Sequence, residues 1–205
     1  MLTVPKIRDV FSGKSVLSPG AATGKSDLIR TLLSPLAESE VGTIRCIGLN
    51  YAQHAQEAKM AIPTIPTVFM KPATSLADPY PAPTIIPKIS LKDDCCDYES
   101  ELTIVIGKAC KDVSEAEALD YVLGYTAAND VSSRTSQFAQ SQWSYSKGFD
   151  GACPIGKSSI ENNNYNLLIL GKGPTIVSKE LIPDPGKLTL KGYKNGKVLQ
   201  SCGCE

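Results

Sequence analysis

Histidine occurs once in this chain, at His54. A site built from several imidazoles is excluded, and any imidazole-mediated proton transfer falls to that residue. Neither sign of charge is in excess: 21 Lys and Arg stand against 21 Asp and Glu. A balanced chain has no general attraction to nucleic acid or to an anionic membrane, and neither is expected as a partner. No apolar run reaches the roughly 20 residues of a membrane span. No apolar segment follows Met1-Leu2-Thr3-Val4-Pro5-Lys6 to complete a signal peptide. The seven cysteines (46, 95, 96, 110, 153, 202 and 204) are odd in number and include no C-x-x-C. That disfavours a zinc ribbon and points to a reducing compartment. The expected location is cytoplasmic, with a mitochondrial one left open. A phosphate loop is also excluded, because only three residues separate Gly20 from Gly24 in Gly24-Lys25-Ser26 where that loop needs four.

What is present is an ordinary globular composition, 42% hydrophobic over 205 residues, enough for one domain with a good core. Residues 1–40 read as a polar leader in which Ser26 caps a short helix over residues 27–33. Ile44 to Gly48 reads as a strand and Asn50 to Lys59 as a helix. His54 and Glu57 lie three apart on that helix, on one face and within reach of each other. Residues 61–87 contain seven prolines and read as ordered loop around a short strand, Val68 to Lys71. Asp93-Asp94-Cys95-Cys96-Asp97 has the look of a metal cluster but reads as loop. Ser114 and Glu117 form a capping box before a helix ended at Gly124. Asn195-Gly196 between two extended runs reads as a hairpin turn.

The chemistry concentrates between Asp97 and Asp130. Side chains alternate along a strand, so Glu99 and Glu101 share a face with Thr103 and Val105, while Leu102, Ile104 and Ile106 form the other. Asp130 closes a second apolar run. Three carboxylates converging from two strands suit a hard divalent cation, Mg²⁺ or Mn²⁺. On pattern alone, Glu-x-Glu at a strand start is more often a solvated acidic face.

Five segments together resemble the fumarylacetoacetate hydrolase family: Ile47-Gly48-Leu49-Asn50-Tyr51-Ala52-Gln53-His54-Ala55-Gln56-Glu57, Phe69-Met70-Lys71-Pro72, Asp97-Tyr98-Glu99-Ser100-Glu101-Leu102, Asn129-Asp130-Val131-Ser132-Ser133-Arg134, and Ser146-Lys147-Gly148-Phe149-Asp150. The resemblance covers residues 40–156 and resumes after Pro174. It implies an α+β, mainly β fold, a mixed β-roll with short flanking helices, over residues 41–205. It also implies a divalent-metal enzyme acting on small keto acids. In that reading Glu99, Glu101 and Asp130 hold Mg²⁺ or Mn²⁺. His54, paired with Glu57, activates water or moves a proton, and Lys147 steadies an enolate. Asn50, Tyr51, Lys71, Arg134 and Gln137 line the substrate, with Arg134 and Gln137 at its carboxylate end. The reaction is hydrolysis of an acylpyruvate or fumarylacetoacetate-like diketone, or decarboxylation or tautomerisation of oxaloacetate. The pattern around His54 is more similar to the acylpyruvase and oxaloacetate branch. A homodimer is implied as well.

The chain departs from the family pattern in two places. Residues 157–173 interrupt it with an Asn-rich, then apolar stretch, and are expected to be an insertion or a retained intron. The chain also stops at Glu205 where relatives continue with further strands and a glycine-rich pocket wall, so a C-terminally truncated form is expected. A non-catalytic remnant, inactive or mis-spliced, is the alternative expectation.

Overall fold

Two long strands carry the middle of the molecule, and their β-branched and aromatic residues explain why they form. In a computed structural model describing residues 6–7, 15–18, 20–28, 30–92, 95–156, 159–162, 167–170 and 176–204, six strands have six residues or more. They are β1 (Thr43–Gly48), β2 (Thr67–Pro72), β3 (Ser100–Ile106), β4 (Val122–Asn129), β5 (Leu188–Lys194) and β6 (Lys197–Gly203). Four short helices flank them: α1 (Ala52–Glu57), α2 (Lys88–Leu91), α3 (Arg134–Ala139) and α4 (Ser144–Lys147). This mainly β arrangement with short helices matches the expected fold class.

β1 and β2 pair antiparallel, as do β3 and β4, and Val177–Ser178 adds a third strand beside β4. β5 and β6 form the hairpin that Asn195-Gly196 announced. Both turn residues have positive φ, 52° and 77°, which is why Asn and Gly stand there. Val122, Tyr125, Val177, Ile182 and Leu188 make the main core cluster, and Tyr51, Leu190 and Cys202 a second one beside it. Each fully buried apolar side chain contributes about 1.5–3 kcal/mol.

Three local expectations change. Asp27–Leu28 is a short strand paired with Lys6–Ile7, and residues 30–34 are not helical, so no helix follows Ser26; position 29 lies outside the described residues. A seven-residue apolar pattern ending at Pro35 is too short to hold a helix without packing. The capping box expected at Ser114 and Glu117 is replaced by a side-chain contact, the Ser114 hydroxyl donating to Glu117 Oε2 at 2.6 Å, and only a 3₁₀ turn, Ala118–Tyr121, follows. Beyond Leu102, which packs against the main core cluster, the apolar face of β3 is the outer one: Ile104 and Ile106 are 50% and 53% exposed, whereas Val105, on the carboxylate face, is buried. The acidic face of β3 therefore points inward.

Within the expected insertion, Ser159–Asn162 pairs with Leu167–Leu170 on one side and with β5 on the other. It thus extends the β5–β6 sheet along its edge. Residues 157–158, 163–166 and 171–175 lie outside the described residues. None of the seven cysteines forms a disulfide, and among the described residues no helix is long and apolar enough to cross a membrane.

Candidate active site

Strand register delivers the carboxylates. Ser100 pairs with Asn129 and Glu101 with Ala128. The Asp130 N–H then donates to the Glu99 carbonyl at 2.8 Å, which sets these two residues side by side. Lys147 comes up from α4 and is only 2% exposed. Its Nζ donates to Glu99 Oε2 at 2.6 Å, to Asp130 Oδ2 at 3.0 Å and to Ser132 Oγ at 2.6 Å. An ammonium has three N–H donors, so all are engaged. Lys71, from β2, is fully buried. Its Nζ donates to the Ala152 carbonyl at 3.0 Å and to the Lys147 carbonyl, and lies 2.7 Å from Asp130 Oδ1. That last contact is an ion pair set off the hydrogen-bond direction, because Asp130 Oδ1 has no aligned donor.

Arg134 begins α3. Its Nε and NH2 both lie 3.0 Å from Asp97 Oδ2, and its NH1 donates to Glu99 Oε1 and, at 2.8 Å, to Gln137 Oε1. Tyr51 is buried at the start of α1. Its hydroxyl accepts the Leu102 N–H at 3.1 Å and donates to the Glu101 carboxylate.

The three carboxylates sit in different electrostatic surroundings. Burial pulls the Glu99 carboxyl upward, but Lys147 and Arg134 outweigh it and hold Glu99 below the usual range. Asp130 moves up, because burial dominates over its pairing with Lys71 and Lys147. Glu101 is pushed up to about 7 by burial, opposed by the Tyr51 hydrogen bond and reinforced by the charges of Glu99 and Asp130. Two thiols flank the cluster, Cys46 half-buried and Cys153 buried: desolvation raises Cys46 to about 12 and Cys153 to about 11, which favours the protonated thiol in both.

Glu99, Asp130, Lys71, Lys147, Arg134 and Gln137 thus come together in one network, and Tyr51 joins it through Glu101. Asn50 is exposed and follows Leu49, whose φ of 53° is uncommon for a side chain of that size. His54 and Glu57 are both exposed on α1, and no ion pair or hydrogen bond joins them. Water competes for both groups there, so the expected contact does not form. Sequence reasoning gave no role to Asp97 as a partner of Arg134, to Ser132 as a partner of Lys147, or to the Phe69–Trp143 pair. The Lys147 ammonium lies 5.4 Å from the Phe69 ring centroid, and the Trp143 ring packs edge-on to Phe69 with centroids 5.5 Å apart. Position 132, inside the Asn129-to-Arg134 segment, carried the one usable signal.

Trp143 rests on Gly48. A Cβ at Gly48 would lie 2.2 Å from the indole. Gly48→Ala is therefore expected to cost about 1–3 kcal/mol and to shift the emission of the protein's single tryptophan. A thermal melt and a fluorescence spectrum check this; an unchanged pair of readings would place the ring elsewhere.

As they stand, no three carboxylate, thiol or imidazole groups among the described residues converge tightly enough to hold a metal ion. The Lys147 ammonium occupies the space between Glu99 and Asp130. The donor chemistry nonetheless fits a hard divalent cation: among the described residues Glu101 makes no ion pair and Asp130 Oδ1 lacks an aligned donor, and the candidate donor atoms are all oxygens.

Residues 43–205 match the family model described as fumarylacetoacetate (FAA) hydrolase C-terminal. The chain belongs to the fumarylacetoacetate hydrolase family. Among its relatives, caffeoylpyruvate hydrolase of Neonothopanus nambi is 44% identical over 197 residues, covering 92% of this chain and 68% of that protein. The fumarylacetoacetate hydrolase domain-containing protein 2 homolog of Dictyostelium discoideum is 44% identical over 167 residues, and the match spans 80% of this chain but only half of that protein. Among solved structures, 2-hydroxyhepta-2,4-diene-1,7-dioate isomerase from Mycobacterium marinum superposes with a TM-score of 0.69 at 33% identity, covering 94% of this chain and 62% of that one. The relatives in this family thus include a hydrolase and an isomerase, and the chain spans about half to two thirds of the length of these proteins.

Proposed function

We propose that this chain forms the active site of a divalent-metal enzyme acting on small α-keto acids, with hydrolysis of an acylpyruvate-type diketone as its reaction. The observation that carries this reading is Lys147, a buried ammonium shared by Glu99, Asp130 and Ser132 on the inner face of β3 and β4. Glu99, Glu101 and Asp130 would hold Mg²⁺ or Mn²⁺. When bound, the cation supplies Lewis acidity toward the keto carboxylate. Relief of Glu99 and Asp130 from their contacts with Lys147 leaves that ammonium beside the site, where it stabilises the negative charge of an enolate as a carbon–carbon bond breaks. Arg134 and Gln137 hold the carboxylate end, since a planar guanidinium matches a carboxylate. Lys71 fixes Asp130 and the end of α4 rather than touching substrate, because it is fully buried, donates to two backbone carbonyls and pairs with Asp130. Tyr51 orients Glu101 in the same way, and the exposed Asn50 would line the substrate. His54, helped by Glu57, activates water. A homodimer of this chain is part of the proposal.

One observation favours a second reading. His54 and Glu57 are not joined, so the water-activating pair is unassembled. The same enolate chemistry without water attack decarboxylates or tautomerises oxaloacetate. Parallel assays on acetylpyruvate and oxaloacetate with Mg²⁺ or Mn²⁺ separate the two. Turnover of neither, with a folded protein, would support a non-catalytic product and sink both readings.

A further inference from the structure

We infer that Asp97 is a positioning residue for substrate carboxylate binding, acting by fixing the plane of the Arg134 guanidinium. The inference rests on the reading that Arg134 takes the substrate's carboxylate. Asp97 is one of the two residues of the short strand Cys96–Asp97, which pairs with Ser132–Ser133 immediately before α3. The Arg134 N–H also donates to the Cys95 carbonyl at 2.9 Å. The backbones of Asp97 and Arg134 are thus held together before their side chains meet.

The carboxylate itself is pre-set. Asp97 Oδ1 accepts the Tyr98 N–H at 2.9 Å, and Oδ2 takes Nε and NH2 of Arg134 at 3.0 Å each. Both oxygens have a fixed direction, so one edge of the guanidinium is fixed as well. NH1 is divided between Glu99 and Gln137 Oε1. A guanidinium carries five N–H donors. One NH2 donor remains unassigned, together with the amide N–H₂ of Gln137, whose oxygen is already turned to Arg134. A guanidinium N–H beside an amide N–H₂ suits one carboxylate. Without Asp97 the arginine would be anchored only through NH1, and the long side chain would have to be ordered when substrate arrives.

The pair is half exposed, with side chains 30% and 46% accessible, so it adds little to folding stability. That separates positioning from a structural role. The test titrates oxalate by calorimetry into the full Mn²⁺-loaded chain as wild type, Asp97→Asn, Arg134→Ala and the double variant. Asp97→Asn is expected to weaken oxalate binding about tenfold with a melting temperature within a degree or two of wild type. Arg134→Ala should weaken it at least as much, and the double variant no further than Arg134→Ala. Should Asp97→Asn fail to melt cooperatively, Asp97→Glu keeps the charge, displaces the oxygens and is expected to weaken binding severalfold. Wild-type affinity in the Asp97 variant with loss in Arg134→Ala would overturn the inference alone. Additive losses would also overturn it, by showing that Asp97 acts elsewhere. Unchanged affinity in Arg134→Ala, or no oxalate binding by wild type, would overturn the reading of Arg134 together with it.

Discussion

Replacing Lys147 with alanine is expected to destabilise the metal-free protein by about 3–5 kcal/mol, because breaking a buried ion pair from one side leaves charge behind without compensation. Lys147 is 2% exposed and meets Glu99, Asp130 and Ser132 together. Glu99 keeps Arg134 and Asp130 keeps Lys71, which places the loss toward the lower end of that range. In a chain of this size the melting temperature should fall by on the order of 10 °C. Arg134→Ala serves as the contrast. That residue also meets two carboxylates, Asp97 and Glu99, but its side chain is 30% accessible, and its removal should cost no more than about 1 kcal/mol. Thermal or urea melts of the two variants check the ordering. Equal losses would mean that burial does not govern the network. Lys147→Ala should also lower turnover at least a hundredfold, the scale on which removing one electrostatic stabiliser acts.

The metal-free protein should lose stability as pH rises from about 5 to about 8. Glu101 carries the effect: burial, with the charges of Glu99 and Asp130 beside it, raises its carboxyl to about 7 from an ordinary 4.5. The folded state therefore keeps a proton that the unfolded chain has released. The associated stability is fully present below the unfolded pKa and is lost as pH climbs through the folded one. At about 1.4 kcal/mol per pH unit the loss amounts to about 3 kcal/mol. Asp130, also raised, works in the same direction. Glu99 works the other way, but its contribution is lost as pH falls below the ordinary carboxylate range, outside this window. Melting temperatures in EDTA at pH 5 and pH 8, for wild type and Glu101→Gln, measure this. The glutamine variant should show a much flatter pH dependence. An identical slope in the two proteins would assign the effect to other groups.

Much of the site is legible in the chain because short-range rules position it. Strand alternation puts Glu99 and Glu101 on one face, an apolar run ends at Asp130, and Asn195-Gly196 makes its turn. Alternation alone does not say which face is inward, and here the more apolar face of β3, with Ile104 and Ile106, is the exposed one. The partners of Lys147, Lys71 and Arg134 lie 15 to 81 residues away for most contacts. No spacing rule reaches that far, so the contacts of Asp97 with Arg134 and of Ser132 with Lys147 appear only once the strands are paired. Helical spacing places His54 and Glu57 on one side of α1 but cannot say whether water will separate them. The short helix expected after Ser26 fails for want of a surface to bury it.

We propose that Glu99 and Asp130 exchange their lysine contacts for a divalent cation that Glu101 joins them in holding. The most direct test is a thermal melt of the 205-residue chain with and without Mn²⁺ at pH 7.5, beside Glu101→Ala. Binding to the folded state alone should raise the wild-type melting temperature by several degrees at a hundredfold excess over the dissociation constant, equivalent to about 2.7 kcal/mol. The variant should not respond. An equal rise in both proteins, or no rise in a wild type that melts cooperatively, would contradict the assignment of these carboxylates.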